Sequence, residues 1–276
     1  MKILVACCTL RSIDMEPYLD HTMLWYALGR KHPEIEFHQL GSRRMSIDNF
    51  RNFATRVAIE QGFDYIFFID DDMQFEDPRT AFSKLYESTR SGYDFVCAMN
   101  YIRGYPFKLM AFKWDLAAPG SRLVNLIEKD LPDPLVGTVP CVAFGTAVCL
   151  LRVEPLWRTP APWFITGPHG TEDIYMCLRV ASYYKDLKLG LNVEVITGHR
   201  LDCEVISHRT REAHMIYHES FMAPEDVAAA RMELRGIAEV PKIPKGREVP
   251  LTYEELMGVK FGNDIGDPVG NLKQPI

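Results

Sequence analysis

The sequence lacks several features that would assign it to a common class of protein. It has no basic surplus, because 31 Lys and Arg stand against 37 Asp and Glu for a net charge of -6, whereas nonspecific nucleic-acid binders usually carry excess positive charge. The phosphate-loop pattern G-x-x-x-x-G-K-[ST] does not occur, which disfavours a phosphate-loop ATPase. No apolar stretch approaches the ~20 residues of a membrane span, and residues 1–10 lack the apolar core and cleavage site of a signal peptide. We therefore expect a cytoplasmic protein without a transmembrane segment.

The seven cysteines contain no C-x-x-C pair, and most of them lie within apolar stretches. An odd number of such residues predicts reduced, buried thiols rather than a disulfide framework. The composition is 47% hydrophobic and 25% charged over 276 residues, which is ordinary for a globular protein with a full core. This length suits one large α/β domain, or one domain with a C-terminal extension.

The first 70 residues alternate between apolar runs and helical patterns. Strand-like runs cover residues 2–10, 35–40 and 64–69, and helical spacing of apolar residues covers 16–31 and 46–61. This alternation is typical of a parallel α/β sheet flanked by helices. Ligands of such sheets bind outside the carboxyl ends of the strands, where residues 9–11 and 70–72 are expected to lie.

The later part of the chain is less regular. Apolar runs at 94–101, 139–152 and 191–198 predict further strands, and 171–183 and 224–235 predict helices. A Thr-x-x-Glu pattern at Thr252 predicts a short capped helix in a segment rich in Pro and Gly. We predict one main α/β domain over residues 1–220, followed by a C-terminal helix and wrapping tail over 221–276.

Three consecutive carboxylates follow the third predicted strand. In an extended chain Asp70 and Asp72 face one side and Asp71 the other, so D-x-D is the expected functional unit. Clustered carboxylates need a counter-charge, and oxygen ligands suit Mg²⁺ or Mn²⁺, particularly when a phosphate completes the coordination shell. The alternative interpretation is a solvated acidic turn, extended by Glu76 and Asp77.

The order of the motifs resembles the nucleotide-sugar glycosyltransferases of the GT-A fold, and looks most like their broad family 2. The resemblance covers roughly residues 1–205. It rests on a first strand ending in ACCTLR, Arg-Asn in the second helix, strand-D-x-D, the strand VAFGTAVCLLR, the helix start GTEDIYMCLR and Gly198-His199. Gly145-Thr146-Ala147 stands where Gly-Thr-Gly is common in that group.

The resemblance implies a GT-A fold, with a Rossmann-like, mostly parallel mixed sheet, and a role for each matching residue. Asp72 would ligate a divalent cation directly, Asp70 would help to hold it and contact the nucleotide, and His199 would be a late metal or diphosphate ligand. The remaining residues expected around the nucleotide sugar are Thr9, Arg11, Arg51 and Asp71. An imidazole ligand favours Mn²⁺ over Mg²⁺.

The acidic pair Glu172-Asp173 would supply the catalytic carboxylates. The resemblance makes Asp173 the base that deprotonates the acceptor hydroxyl of an inverting enzyme, a role that contributes roughly 10²–10⁴-fold to rate. Plain helix capping by Thr171 with acids in the first turn is the alternative interpretation.

The sequence therefore predicts a metal-dependent glycosyltransferase that uses a UDP- or GDP-sugar donor. Its acceptor is open between a small molecule, a glycan and a modified nucleobase. Two alternatives remain: a nucleotidyltransferase, although TLRSIDMEPY lacks the glycine-rich loop of that class, and a non-catalytic nucleotide-sugar-binding domain.

Overall fold

The protein was analysed as a computed structural model, which describes residues 1–9, 13–43, 45–117, 122–167, 171–201, 204–220 and 222–236. Arg11, the segment 239–276 and its predicted helix at Thr252 lie outside the described residues. Within the described ranges, no helix combines the length and apolar character needed to cross a membrane.

Strands and helices alternate through the first half of the chain, as the sequence predicts. The strands are β1 (Lys2–Thr9), β2 (Glu36–Arg43), β3 (Tyr65–Asp70), β4 (Met73–Phe75), β5 (Phe95–Met99), β6 (Ala111–Asp115), β7 (Arg122–Asn125), β8 (Thr138–Cys141), β9 (Ala143–Phe144), β10 (Val148–Arg152), β11 (Leu189–Leu201) and β12 (Glu204–Ile206). The helices are α1 (Met15–Lys31), α2 (Ile47–Glu60), α3 (Ala81–Arg90), α4 (Val153–Trp157), α5 (Glu172–Tyr183), α6 (Arg211–Glu219) and α7 (Pro224–Leu234).

The central sheet has the order β12-β11-β5-β10-β3-β1-β2. β1 is parallel to β2 and β3, and β11 is parallel to β5. β10 is antiparallel to both of its neighbours, β3 and β5, so these flanking strands share one direction. The mixed, mostly parallel sheet flanked by helices confirms the predicted α/β fold class.

Both faces of the sheet are covered, because alternate residues of β1 and β3 enter different hydrophobic clusters. Leu4 and Phe68 pack on the face that carries α2 and α5, whereas Val5 and Phe67 pack on the face that carries α1 and α3. Burying one such side chain stabilises the fold by about 1.5–3 kcal/mol. α2 and α5 therefore lie on the same side of the sheet, near the end of β3.

The run 139–152 does not form a single strand. It divides into β8, which pairs with β11, β9, which pairs with β6 of a second, small sheet, and β10 in the centre of the main sheet. Close packing at Gly145 accompanies the division, since a Cβ there would lie 2.7 Å from the Met110 Cε atom. An apolar run signals burial, but it does not encode where the chain changes direction.

The six cysteines of the described ranges are all buried, as predicted. The buried face of α2 includes Arg51 and Thr55, whereas the apolar side chain of Phe53 is 41% exposed. The predicted helices at 171–183 and 224–235 are confirmed as α5 and α7.

Candidate active site

The side chain of Arg51 connects the end of β3 to the start of α5. Its Nη2 lies 3.0 Å from Asp70 Oδ2, and its Nη1 lies 2.6 Å from Glu172 Oε1. The same Nη1 donates to Asp173 Oδ1. Arg51 is only 1% exposed, so one buried guanidinium joins the first acid of the D-x-D motif to both acids of the Glu-Asp pair.

The position of Arg51 follows from how α2 is fixed against the chain before α5. The amide of Asn52 donates to the Phe164 carbonyl at 2.6 Å and accepts from the backbone N–H groups of Trp163 and Phe164. The Thr55 hydroxyl donates to the Arg51 carbonyl at 2.8 Å. The helix thus turns Arg51 towards the interior beside Phe50, and the long stem packs within the core.

Asp173 receives a second donor from the chain segment that precedes β10. The hydroxyl of Thr146, which is fully buried, donates to Asp173 Oδ1. Antiparallel pairing brings this segment close to Asp70, whose N–H donates to the Ala147 carbonyl at 2.7 Å. The N-terminal turn of α5 adds a favourable environment for negative charge.

Burial dominates the electrostatics of this group. Desolvation, opposed by Arg51, raises the pKa of Asp70 to about 6. Desolvation and the neighbouring charge of Asp173 raise the pKa of Glu172 to about 7. Burial disfavours the charge on Arg51, but the surrounding carboxylates outweigh it and raise the Arg51 pKa above its ordinary value. The guanidinium stays charged, and Glu172 is the carboxylate best placed to hold a proton near neutrality.

Asp72 lies in a second, more exposed arrangement. The strand ends at Asp70 and the chain turns at residues 71–72, so the expected alternation of D-x-D in an extended chain does not apply. Asp72 Oδ2 forms an ion pair with Arg103, while its Oδ1 atom is buried without a hydrogen-bond partner among the described residues. The second D-x-D carboxylate therefore contacts a different arginine from the first.

His199 lies beside Asp72 through the pairing of β11 with β4. His199 is opposite Met73, and the N–H of Arg200 donates to the Asp72 carbonyl at 2.8 Å. The Nδ1 of His199 lies 2.8 Å from the Tyr101 carbonyl, so this nitrogen must be the donor. Burial, reinforced by the charge of Arg103, lowers the pKa of His199 to about 4. The imidazole is neutral and Nε2 keeps its lone pair.

The other predicted nucleotide-contacting residues that the structure describes also lie at the carboxyl ends of the strands. Thr9 ends β1, and Cys8 of that strand is level with Asp70. The pKa of the Cys7 thiol is raised to about 12, first by burial and further by the charges of Asp70 and Asp71. No three His, Cys, Asp or Glu side chains of the described ranges form a ready metal-binding set.

Asn52 and Thr146 belong to the quoted sequence motifs but received no predicted role, and sequence reasoning missed Arg103. Thr146 carried a signal, since it lies in the glycine-containing motif of the β10 segment, but Arg103 follows β5 in a loop with no pattern around it. Trp163 and Phe164, which precede α5, are core residues that are only 7% and 1% exposed.

Comparisons with known proteins bear on the fold. No family model matches the chain, and no curated relative does. Among solved structures, A197 from STIV matches with a TM-score of 0.50 and 19% identity over 73% of this chain and 87% of A197. A mannose-1-phosphate geranyltransferase from Thermus thermophilus matches with a TM-score of 0.32 and 9% identity over 81% of this chain and 80% of that one. This chain is thus similar to A197 in fold, and the second match, at its score, adds no argument.

Proposed function

We propose that the protein is a metal-dependent glycosyltransferase that moves a sugar from a nucleotide diphosphate to an acceptor hydroxyl with inversion. One observation carries the proposal. A single buried guanidinium holds Asp70, from the predicted donor motif, and Asp173, from the predicted acceptor motif. Two motifs separated by about a hundred residues of sequence therefore form one site at the carboxyl ends of β1 and β3, where ligands of open α/β sheets bind.

Asp173 is the proposed base. The acceptor oxygen attacks the anomeric carbon, the bond from that carbon to the diphosphate oxygen breaks, and the hydroxyl proton passes to Asp173. Thr146 and Arg51 each donate to Asp173 Oδ1, which fixes the carboxylate in one orientation. Glu172 shares the guanidinium, and burial together with the neighbouring Asp173 raises its pKa to about 7, so it is proposed to take up a proton more readily than an ordinary glutamate.

Arg51 is proposed to position these carboxylates rather than to bind phosphate. Its two terminal nitrogens are engaged by Asp70, Glu172 and Asp173, and its side chain is buried. The nucleotide contacts are assigned to Thr9, Asp70 and Asp71 at the end of β1 and β3, and to Arg11.

The residues around Asp72 fit a divalent cation that takes part of its coordination from the donor. Asp72 Oδ1 is buried without a hydrogen-bond partner in the described part of the chain, and His199 presents a neutral nitrogen. These two residues, with Asp70, would hold the cation, and phosphate oxygens of the donor would complete its coordination shell. When bound, the cation supplies Lewis-acid neutralisation of the diphosphate leaving group, and the imidazole favours Mn²⁺.

A thermal-shift screen of nucleoside diphosphates, each with and without Mn²⁺, tests the proposal. A ligand at one hundred times its Kd stabilises the native state by about 2.7 kcal/mol, and a domain of this size then melts roughly 5–10 °C higher. We expect UDP or GDP to give such a shift only with Mn²⁺, and the Asp72→Asn variant to lose it. Asp186→Asn, which changes an exposed acid after α5, is the matched control and should keep the shift.

Release of the nucleoside diphosphate from sugar donors separates the enzyme from its alternatives. A glycosyltransferase releases UDP or GDP, at least slowly to water, whereas a pure binding domain releases none. Pyrophosphate formed from a nucleoside triphosphate and a sugar phosphate would instead identify a nucleotidyltransferase. If none of the nucleoside diphosphates raises the melting temperature, either with or without Mn²⁺, the proposed donor site is rejected.

A further inference from the structure

Arg103 places a positive charge on the carboxylate that is assigned to the metal. It lies in a loop after β5 that is closed by a bridge between Tyr101 and Leu109 and by a hydrogen bond of 2.8 Å from Ile102 N to the Lys108 carbonyl. Its side chain is 54% exposed, whereas that of Asp72 is 23% exposed. An exposed arginine therefore reaches inward to a partly buried acid.

The backbone of this loop is held independently of Arg103. The Tyr101 carbonyl accepts from His199, and the Phe107 carbonyl accepts from Arg211 Nε at 2.8 Å. The Tyr105 hydroxyl donates to Glu219 of α6 at 3.1 Å. The long side chain of Arg103 can exchange its partner while the loop that carries it stays in place.

We propose that Arg103 is a displaceable counter-ion, which neutralises Asp72 before the donor binds and then transfers to the diphosphate of the metal–donor complex. This inference rests on the proposed function. A guanidinium and a divalent cation compete for the same carboxylate, because each is attracted to the charge of Asp72 and both carry positive charge. A cation that arrives alone must expel Arg103 and leave it without an anionic partner.

A cation that arrives with a nucleoside diphosphate brings the new partner with it. The phosphate oxygens accept hydrogen bonds from the guanidinium N–H groups of Arg103 once these no longer pair with Asp72. Arg–phosphate contacts of this kind are strong. Metal and nucleotide therefore each raise the affinity of the protein for the other. Arg103 causes this coupling, because it changes its partner from Asp72 to the diphosphate. No covalent step is involved.

Binding of Mn²⁺ to the full chain, followed by the electron paramagnetic resonance signal of free Mn²⁺, tests this exchange. Each protein is titrated alone and with the diphosphate, UDP or GDP, that gives the larger thermal shift. For Arg103→Gln we expect Mn²⁺ alone to bind roughly fivefold tighter, because a competing ion pair is lost. With the nucleotide present, Mn²⁺ should bind roughly tenfold more weakly than to the unaltered protein, because a phosphate contact is lost.

Two further variants make the result specific. Arg103→Lys keeps the charge and should restore most of the competition for Asp72. Arg209→Gln removes a charge from an arginine that pairs with Glu76 at 2.9 Å, and both Mn²⁺ affinities should match those of the unaltered protein. An unchanged affinity of Arg103→Gln for Mn²⁺ alone would overturn the inference while leaving the proposed function intact.

The controls also detect failure of the underlying function. If the unaltered protein binds no Mn²⁺ with either nucleotide, the proposed function and the inference fail together. If it binds the nucleotide equally well without Mn²⁺, and Arg103→Gln abolishes that binding, then Arg103 replaces the cation and the exchange is rejected.

Discussion

The two D-x-D carboxylates lie in contrasting surroundings. The inner cluster is made of Arg51, Asp70, Thr146, Glu172 and Asp173. All of these are buried except Asp70, whose side chain is 16% exposed, and the arginine is 1% exposed. The outer pair, Asp72 and Arg103, involves an arginine that is 54% exposed. A buried ion network is costly to break, whereas an exposed pair contributes little and exchanges readily. This contrast is the basis for the proposals that the inner cluster fixes geometry and that ligands exchange at the outer pair.

The largest expected effect is a loss of turnover, which should distinguish the inner cluster from the outer pair. Asp173→Asn should lower turnover by roughly 10²–10⁴-fold, because the amide cannot accept the acceptor proton, while the affinity for nucleotide and Mn²⁺ stays near that of the unaltered protein. Asp72→Asn should chiefly weaken that affinity. Steady-state kinetics and the Mn²⁺ titration measure both quantities, and turnover of Asp173→Asn within tenfold of the unaltered enzyme would remove the base assignment.

Loss of Arg51 should break the inner cluster. Arg51→Met leaves three carboxylates without their shared cation, so the free energy of unfolding should fall by about 3–5 kcal/mol. Chemical denaturation at neutral pH measures this loss. The deficit should shrink at lower pH, where protonation relieves the repulsion among Asp70, Glu172 and Asp173.

The matched control for Arg51 is Arg56→Met on the same helix, since Arg56 lies at the partly exposed surface of α2. A change within about 0.5 kcal/mol is expected for such a position. Equal losses for the two variants, or a deficit of Arg51→Met that does not depend on pH, would show that the charges are not coupled as described.

The fold class and the positions of the candidate residues along β1, β3 and α5 were predictable, because both rest on local pattern. Apolar runs ending in polar turns revealed β1 and β3, and the acids at 172–173 marked the start of α5. The role of Arg51 was not predictable in this way, since a single arginine in a helix pattern usually indicates a solvated face. Its clue is that Arg51, Ala54, Thr55 and Ala58 recur at helical spacing on the buried side.

The contact between Arg103 and Asp72 could not be predicted from the sequence. This contact joins positions about thirty residues apart through the arrangement of β3, β5 and the loop after β5. A pairing that depends on tertiary packing leaves no periodic or spacing signal in one sequence.

The titration of Glu172 in the inner cluster should make the free energy of unfolding depend on pH. This effect should be smaller than the loss expected for Arg51→Met. The folded-state pKa of Glu172 is raised to about 7 from an ordinary 4.5, so the folded state binds a proton that the unfolded state releases. The free energy of unfolding of the unaltered protein should therefore fall as pH rises between these two values. Relative to Glu172→Gln, which has no such titration, the fall should be on the order of 2 kcal/mol.

Denaturation series from about pH 5 to about pH 8 for both proteins measure this difference. The two curves should run parallel above the folded-state pKa. A difference that stays constant through the acid range would contradict the raised pKa of Glu172.

The smallest expected effect concerns the hydroxyl of Thr146. Thr146→Val keeps the side-chain shape but removes the donor to Asp173, so stability should fall by about 1–2 kcal/mol. Thr159→Val, which removes a buried hydroxyl bonded to the Pro155 carbonyl at 2.8 Å, is the matched control for stability. Of these two variants, only the change at position 146 should also lower turnover, because the Thr146 hydroxyl contacts the base and the Thr159 hydroxyl does not. Equal turnover in both variants would contradict that role.

A crystal structure with Mn²⁺ and the nucleoside diphosphate from the thermal-shift screen tests the central claim most directly. The account predicts an anomalous Mn²⁺ peak in contact with Asp72 and with the phosphate oxygens, and Arg103 turned from Asp72 to the diphosphate. A nucleotide bound elsewhere on the molecule, with Asp72 still paired to Arg103 and no Mn²⁺ beside it, would contradict the account.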